Sequence, residues 1–99
     1  MRLTPDQIQA IQDTAHAVLG VEARVVLFGS RVDDTQKGGD IDLLFETDSP
    51  VPNRVATIGQ LYAALIRKLG DRKIDVLLKD PLTAPAPVFD IARQTGIQL

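Results

Sequence analysis

The 99-residue chain has no cysteine, so disulfides, zinc–thiolate sites and thiol nucleophiles are excluded. Aromatic side chains make up only 4%, leaving no obvious base-stacking platform that selects adenine over guanine. A net charge of −2 gives no basic footprint, and direct nucleic-acid binding is not expected. No apolar run approaches membrane-spanning length, and the opening MRLTPDQIQ lacks a signal-peptide core, so the chain reads as cytoplasmic with no membrane contact. Repeats and low-complexity tracts are absent too. What is there is a 44% apolar, globular composition and a length that predicts one domain, 1–99, too small for a separate substrate-binding domain. A bulky substrate is therefore expected to come from outside.

Local signals predict the order α, β, short α, β, α, β, α. Thr4, Pro5, Asp6 and Gln7 form a capping-box pattern, and Ile8, Ile11, Ala15, Val18 and Leu19 recur at helical spacing before Gly20. Val25–Phe28 is a continuous apolar run, as in a central strand buried on both faces. Residues 31–39 are read as a short helix and a loop, and Asp40–Glu46 as a second strand. A helix over Asn53–Leu69 carries the stripe Val55, Ile58, Tyr62, Leu65, Ile66 and Leu69, with Gly70 as its stop. In the strand Lys73–Lys79, Ile74, Val76 and Leu78 share one face while Asp75 and Leu77 share the other. Thr83 is placed to cap a last helix carrying Val88, Phe89, Ile91 and Ala92. Gly96 closes that helix before a short tail, Ile97–Leu99. The alternation indicates a layered α/β domain.

The chemistry concentrates in VVLFGSRVDDTQKGGDIDLLFE, Val25–Glu46. In a strand, residues two apart project from one face, so Asp40 and Asp42 stand side by side while Ile41 packs. Adjacent anions repel, and a hard divalent ion such as Mg2+ accepts carboxylate oxygens alongside substrate phosphates. Gly29 lets the backbone approach a phosphate, Ser30 can donate to its oxygens, and Arg31 can neutralise charge. Singly, each of these reads as an ordinary turn or surface residue. An Asp within an apolar strand is unusual, however, because a buried carboxylate must be paired or metal-bound. The chain has two, Asp42 and Asp75, and if their strands are neighbours three carboxylates converge. Lys73, on the Asp75 face, is the alternative: a salt-bridge partner that makes Asp75 structural. His16 lies off its helix's apolar stripe, Tyr62 reads as a packing residue, and Asp33 with Asp34 as a solvated turn.

LFGSRVDDTQKGGDIDLLF, with Asp75 in KIDVLL, resembles the signature of the polymerase-beta superfamily of nucleotidyltransferases: strand, Gly-Ser, spacer, Asp-x-Asp, and a later strand Asp. The resemblance implies an α/β (α+β) fold, a small mixed sheet flanked by helices. The size is similar to that of the minimal nucleotidyltransferases, which are encoded beside a HEPN ribonuclease toxin and serve as its antitoxin. Two departures concern the nucleotide-binding segment. Gly39 stands where many relatives have Ser, and Val32 with Asp33 replaces a frequent Ala-Arg-Gly.

The implied activity is Mg2+-dependent transfer of AMP from ATP to a hydroxyl, a tyrosine, of the HEPN partner in a heteromeric complex. Asp40, Asp42 and Asp75 would hold two Mg2+ ions, Asp75 would also help take the acceptor's proton, and Gly29, Ser30, Arg31 and Gly39 would bind the nucleotide. Two other readings are a non-catalytic antitoxin acting by occlusion and transfer to a small molecule. The first is disfavoured because all three acids are present, the second because no segment for an acceptor pocket is found. A conventional P-loop ATPase is disfavoured, since Gly-Ser is not followed by Gly-Lys-Ser/Thr.

Overall fold

The computed structural model describes residues 3–29 and 40–99. Helix α1 (Pro5–Leu19) opens with the predicted capping box, Thr4 Oγ1 accepting from Gln7 N–H at 3.1 Å while Gln7 Oε1 accepts from Thr4 N–H at 2.9 Å. Strands β1 (Arg24–Phe28) and β2 (Ile41–Glu46) follow, then helix α2 (Arg54–Leu69) and strand β3 (Ile74–Lys79). Helix α3 (Pro87–Thr95) and the two-residue strand β4 (Ile97–Gln98) end the described chain. The four strands form one mixed sheet in the order β3-β2-β1-β4, with β2 and β3 parallel and the other pairs antiparallel. The parallel pair requires a crossover, which α2 supplies.

Strand alternation divides the core. Val25 and Leu27 of β1, Ile41, Leu43 and Phe45 of β2, and Ile74 and Leu78 of β3 pack with Ile11 and Ala15 of α1 and Leu61, Leu65 and Leu69 of α2. Val26 and Leu44 point the other way, onto Phe89 and Ala92 of α3, with Leu77 beside them. Burying each large apolar side chain contributes about 1.5–3 kcal/mol, so the inner strands explain the continuous apolar runs in the sequence. The predicted division of β3 holds, since Ile74 and Val76 join one cluster and Leu77 the other.

Several expectations are corrected. Thr83 does not cap α3, whose N-cap is Ala86 with no side-chain cap hydrogen bond. Its hydroxyl is already engaged, donating to Asp80 Oδ1 at 2.8 Å and accepting from Arg54 at 2.7 Å. The short tail adds a strand beyond those expected: Ile97 and Gln98 pair with Leu27 and Val26, and Leu99 N–H donates to Val25 O at 2.9 Å. On α2, Val55 and Tyr62 are exposed, and the buried line runs through Leu61, Ala64, Leu65 and Leu69. The apolar stripe thus centres one residue before Tyr62, which is 44% exposed. The short helix expected within 31–39, and the turn at Asp33 and Asp34, lie outside the described residues. Among the described residues, no helix is long and apolar enough to cross a membrane.

Candidate active site

The parallel register sets Asp42 directly opposite Asp75, and the antiparallel register sets Asp42 opposite Phe28, the residue before Gly29. Both carboxylates share the sheet face that carries Leu44 and Leu77, beyond the part covered by Phe89 and Ala92 of α3. Neither sits there at random: Asp42 is held by the ladder on both sides, and β3 is brought parallel to β2 by α2.

Gly29 closes the site from the β1 side. Its φ of +76° lies in the left-handed region, which side-chain-bearing residues adopt at a cost. The Asp42 carboxyl occupies the space a Cβ would need, with Asp42 Oδ2 in contact and Cγ 3.1 Å from the Cβ position. Glycine is therefore required twice here, by backbone conformation and by the close approach of Asp42.

Asp42 is half-buried, and its carboxyl is pushed up from 3.8 to about 6. Burial is the largest cause, followed by a hydrogen bond with Asp75 and the negative charges of Asp75 and Asp40, while Lys73 acts in the opposite direction. Burial and the neighbouring acids each penalise the ionised form of Asp42 and so favour its protonated form. Asp40 stands just before β2, and Lys73 Nζ lies 3.8 Å from its Oδ2. The backbone continues the ladder there, with Ile41 N–H donating to Lys73 O at 3.0 Å.

Of the predicted site residues, the structure brings Asp42 and Asp75 into contact, sets Gly29 against Asp42, and places Asp40 within electrostatic reach. Ser30, Arg31 and Gly39 lie outside the described residues. Asp75 is exposed, contrary to the expectation of a buried carboxylate within an apolar strand. The reason is topological: β3 is an edge strand, and α3 does not reach position 75. Lys73 pairs with Asp40, not with Asp75, because it precedes the strand and its side chain is free of the strand's alternation. Among the described residues, no three acidic, His or Cys side chains are already gathered as a ligand set. The donor chemistry nonetheless fits a divalent ion, since the side chains that meet here, Asp42 and Asp75 with Asp40 nearby, offer carboxylate oxygens of the kind such an ion accepts.

Two polar groups escaped the sequence reading. Buried Asp80 accepts from Val51 N–H at 2.7 Å and Leu82 N–H at 3.1 Å, and it pairs with Arg54, which also donates to Leu78 O at 2.6 Å. This network ties the end of β3 to the start of α2, and the spacing of Asp80 and Thr83, three apart as in a side-chain-closed turn, could have revealed it. Buried Glu46 pairs with Arg93 at 3.1 Å and Arg24 at 3.7 Å. A cavity of about 370 Å³ lined by Arg24, Val26, Glu46, Arg93 and Gln98 lies there, at the opposite end of β2 from Asp42.

A small mixed sheet with helices on both faces and an Asp-x-Asp strand beside a further strand Asp defines a polymerase-beta-like nucleotidyltransferase core. The nucleotidyltransferase domain family matches the chain over residues 9–95, and the chain belongs to that family. No curated protein matches it. The activity this assignment supports is nucleotidyl transfer, a reaction for which the family generally uses a divalent metal and a nucleoside triphosphate.

Proposed function

We propose that the chain transfers AMP from ATP to a tyrosine hydroxyl of a partner HEPN ribonuclease toxin, and so acts as the antitoxin. The observation that carries the chemistry is the opposed pair Asp42 and Asp75 against the Cβ-free surface of Gly29. Asp40, Asp42 and Asp75 would hold two Mg2+ ions. Bound there, the ions supply charge neutralisation at the α-phosphoryl group and acidify the acceptor hydroxyl.

The chain's own residues do the rest. Gly29 allows the triphosphate to lie close to the backbone, and Ser30, Arg31 and Gly39 take its oxygens. Asp75 accepts the proton of the attacking hydroxyl as the new O–P bond forms and pyrophosphate departs. Its exposure favours a large acceptor, since a tyrosine on another protein's surface can reach an open carboxylate. The side chain of Asp40 is also 49% exposed. Adding AMP to a ribonuclease surface that must bind RNA blocks it by bulk and by negative charge. The identity of the partner, the choice of ATP and the cytoplasmic setting rest on the resemblance to the minimal nucleotidyltransferases.

The test is intact-mass spectrometry of the neighbour-encoded protein after incubation with this chain, ATP and Mg2+. A gain of one or more AMP units that disappears with Asp42→Ala is the expected result. A stable complex without any mass gain would instead establish neutralisation by occlusion.

A further inference from the structure

The inference rests on the reading of Asp40, Asp42 and Asp75 as a metal-holding site, and it concerns Lys73. The root of this residue is fixed, because its carbonyl accepts from Ile41 N–H between the two aspartates of the Asp-x-Asp strand. Its head is not. The ammonium sits 3.8 Å from Asp40 Oδ2 on a side chain that is 68% exposed, and an exposed ion pair at that separation is weak and readily exchanged. Four methylenes give the ammonium a wide sweep from a fixed root. Its positive charge is also felt at Asp42, where it opposes the effect of the neighbouring acids.

We propose that Lys73 is the resident counter-ion of the carboxylate site: it neutralises Asp40 when no metal is bound, competes with an entering divalent cation, and turns to the nucleotide's phosphates once that cation is in place. An ammonium and a divalent ion repel when both approach one carboxylate, so binding of the metal alone displaces the ammonium. With a nucleotide present the same charge finds phosphate oxygens within its sweep, and its contribution changes sign. Lys73 is thus a positioning residue whose removal helps one ligand and hurts the other.

That reversal is the test. Free Mn2+ is followed by electron paramagnetic resonance during titration of the full chain, with and without a non-hydrolysable ATP analogue. For Lys73→Gln, Mn2+ alone binds about three- to tenfold more tightly, and the Mn2+–nucleotide complex binds weaker by a similar factor. Lys73→Arg restores both values toward those of the unaltered chain, and both differences shrink in high salt. A gain in affinity cannot come from a damaged fold, and Lys73 is exposed, so folding does not confuse the result. Mn2+ affinity that is unchanged or lower in Lys73→Gln, while Asp42→Asn abolishes binding, overturns the role of Lys73 and leaves the carboxylate site standing. Unaltered nucleotide affinity overturns the transfer to phosphate. Absence of Mn2+ binding by the unaltered chain, or binding indifferent to Asp42→Asn, removes the site and the inference together.

Discussion

Asp42 and Asp75 stand opposite one another in the parallel ladder between β2 and β3, in hydrogen-bond contact through their carboxyl groups. Burial, Asp75 and Asp40 all disfavour the ionised form of Asp42, so its charge opposes folding unless a cation offsets it.

The first consequence is a pH dependence of stability. The folded Asp42 carboxyl titrates near 6 against an ordinary 3.8, so between those values the native state binds more protons than the unfolded chain. Stability therefore falls as pH rises through that window. Thermal unfolding in chelator should show a midpoint that drops from pH 4 to pH 7 through this group, and Asp42→Asn should flatten that part of the curve. Added Mg2+ should restore the midpoint most above pH 6.

Stability and activity should part company in the carboxylate variants. Asp42→Asn and Asp75→Asn relieve the repulsion, so at pH 8 without metal each should unfold at a higher temperature than the unaltered chain. Nucleotidyl transfer should fall by about a thousandfold or more in each. Calorimetry beside a transfer assay checks both directions.

Gly29→Ala combines backbone strain at φ +76° with a collision against the Asp42 carboxyl. A left-handed alanine costs about 1–2 kcal/mol, read in denaturant titration. Because the displaced group is Asp42 itself, transfer activity should fall further than the loss of folded protein explains.

The Asp80 network should behave in the opposite way. Hydrogen bonds from Val51 and Thr83, ahead of those from Leu82 and the charge of Arg54, hold the Asp80 carboxyl below the usual carboxylate range. Its contribution is therefore present at neutral pH and lost as pH falls below that range. Asp80→Ala should lower the unfolding midpoint more than Gly29→Ala does, with activity per folded molecule retained.

The helices α1 and α2, the three main strands and the division of β3 into two faces were legible in the sequence, because capping residues and apolar periodicity act locally. The neighbourhood of Asp42 and Asp75 was legible only as a condition, that their strands be adjacent, and the parallel register met it. The exposure of Asp75 was not legible, since it depends on β3 being an edge strand that α3 fails to cover. Thr83 misled for a related reason: a hydroxyl suited to capping was claimed by Asp80 and by Arg54, the latter from a distant helix. Strand β4 is two residues long, too short for any periodicity, and exists because β1 offers it an open edge.

The most direct test of nucleotidyl transfer at the Asp42–Asp75 pair is to supply the chain and its co-purified neighbour with Mg2+ and ATP labelled at either the α- or the γ-phosphorus. The account predicts that α-label is retained on the neighbouring protein, that γ-label leaves as pyrophosphate, and that Asp42→Asn abolishes the retention. Retention of γ-label, or α-label that persists in Asp42→Asn, would contradict it.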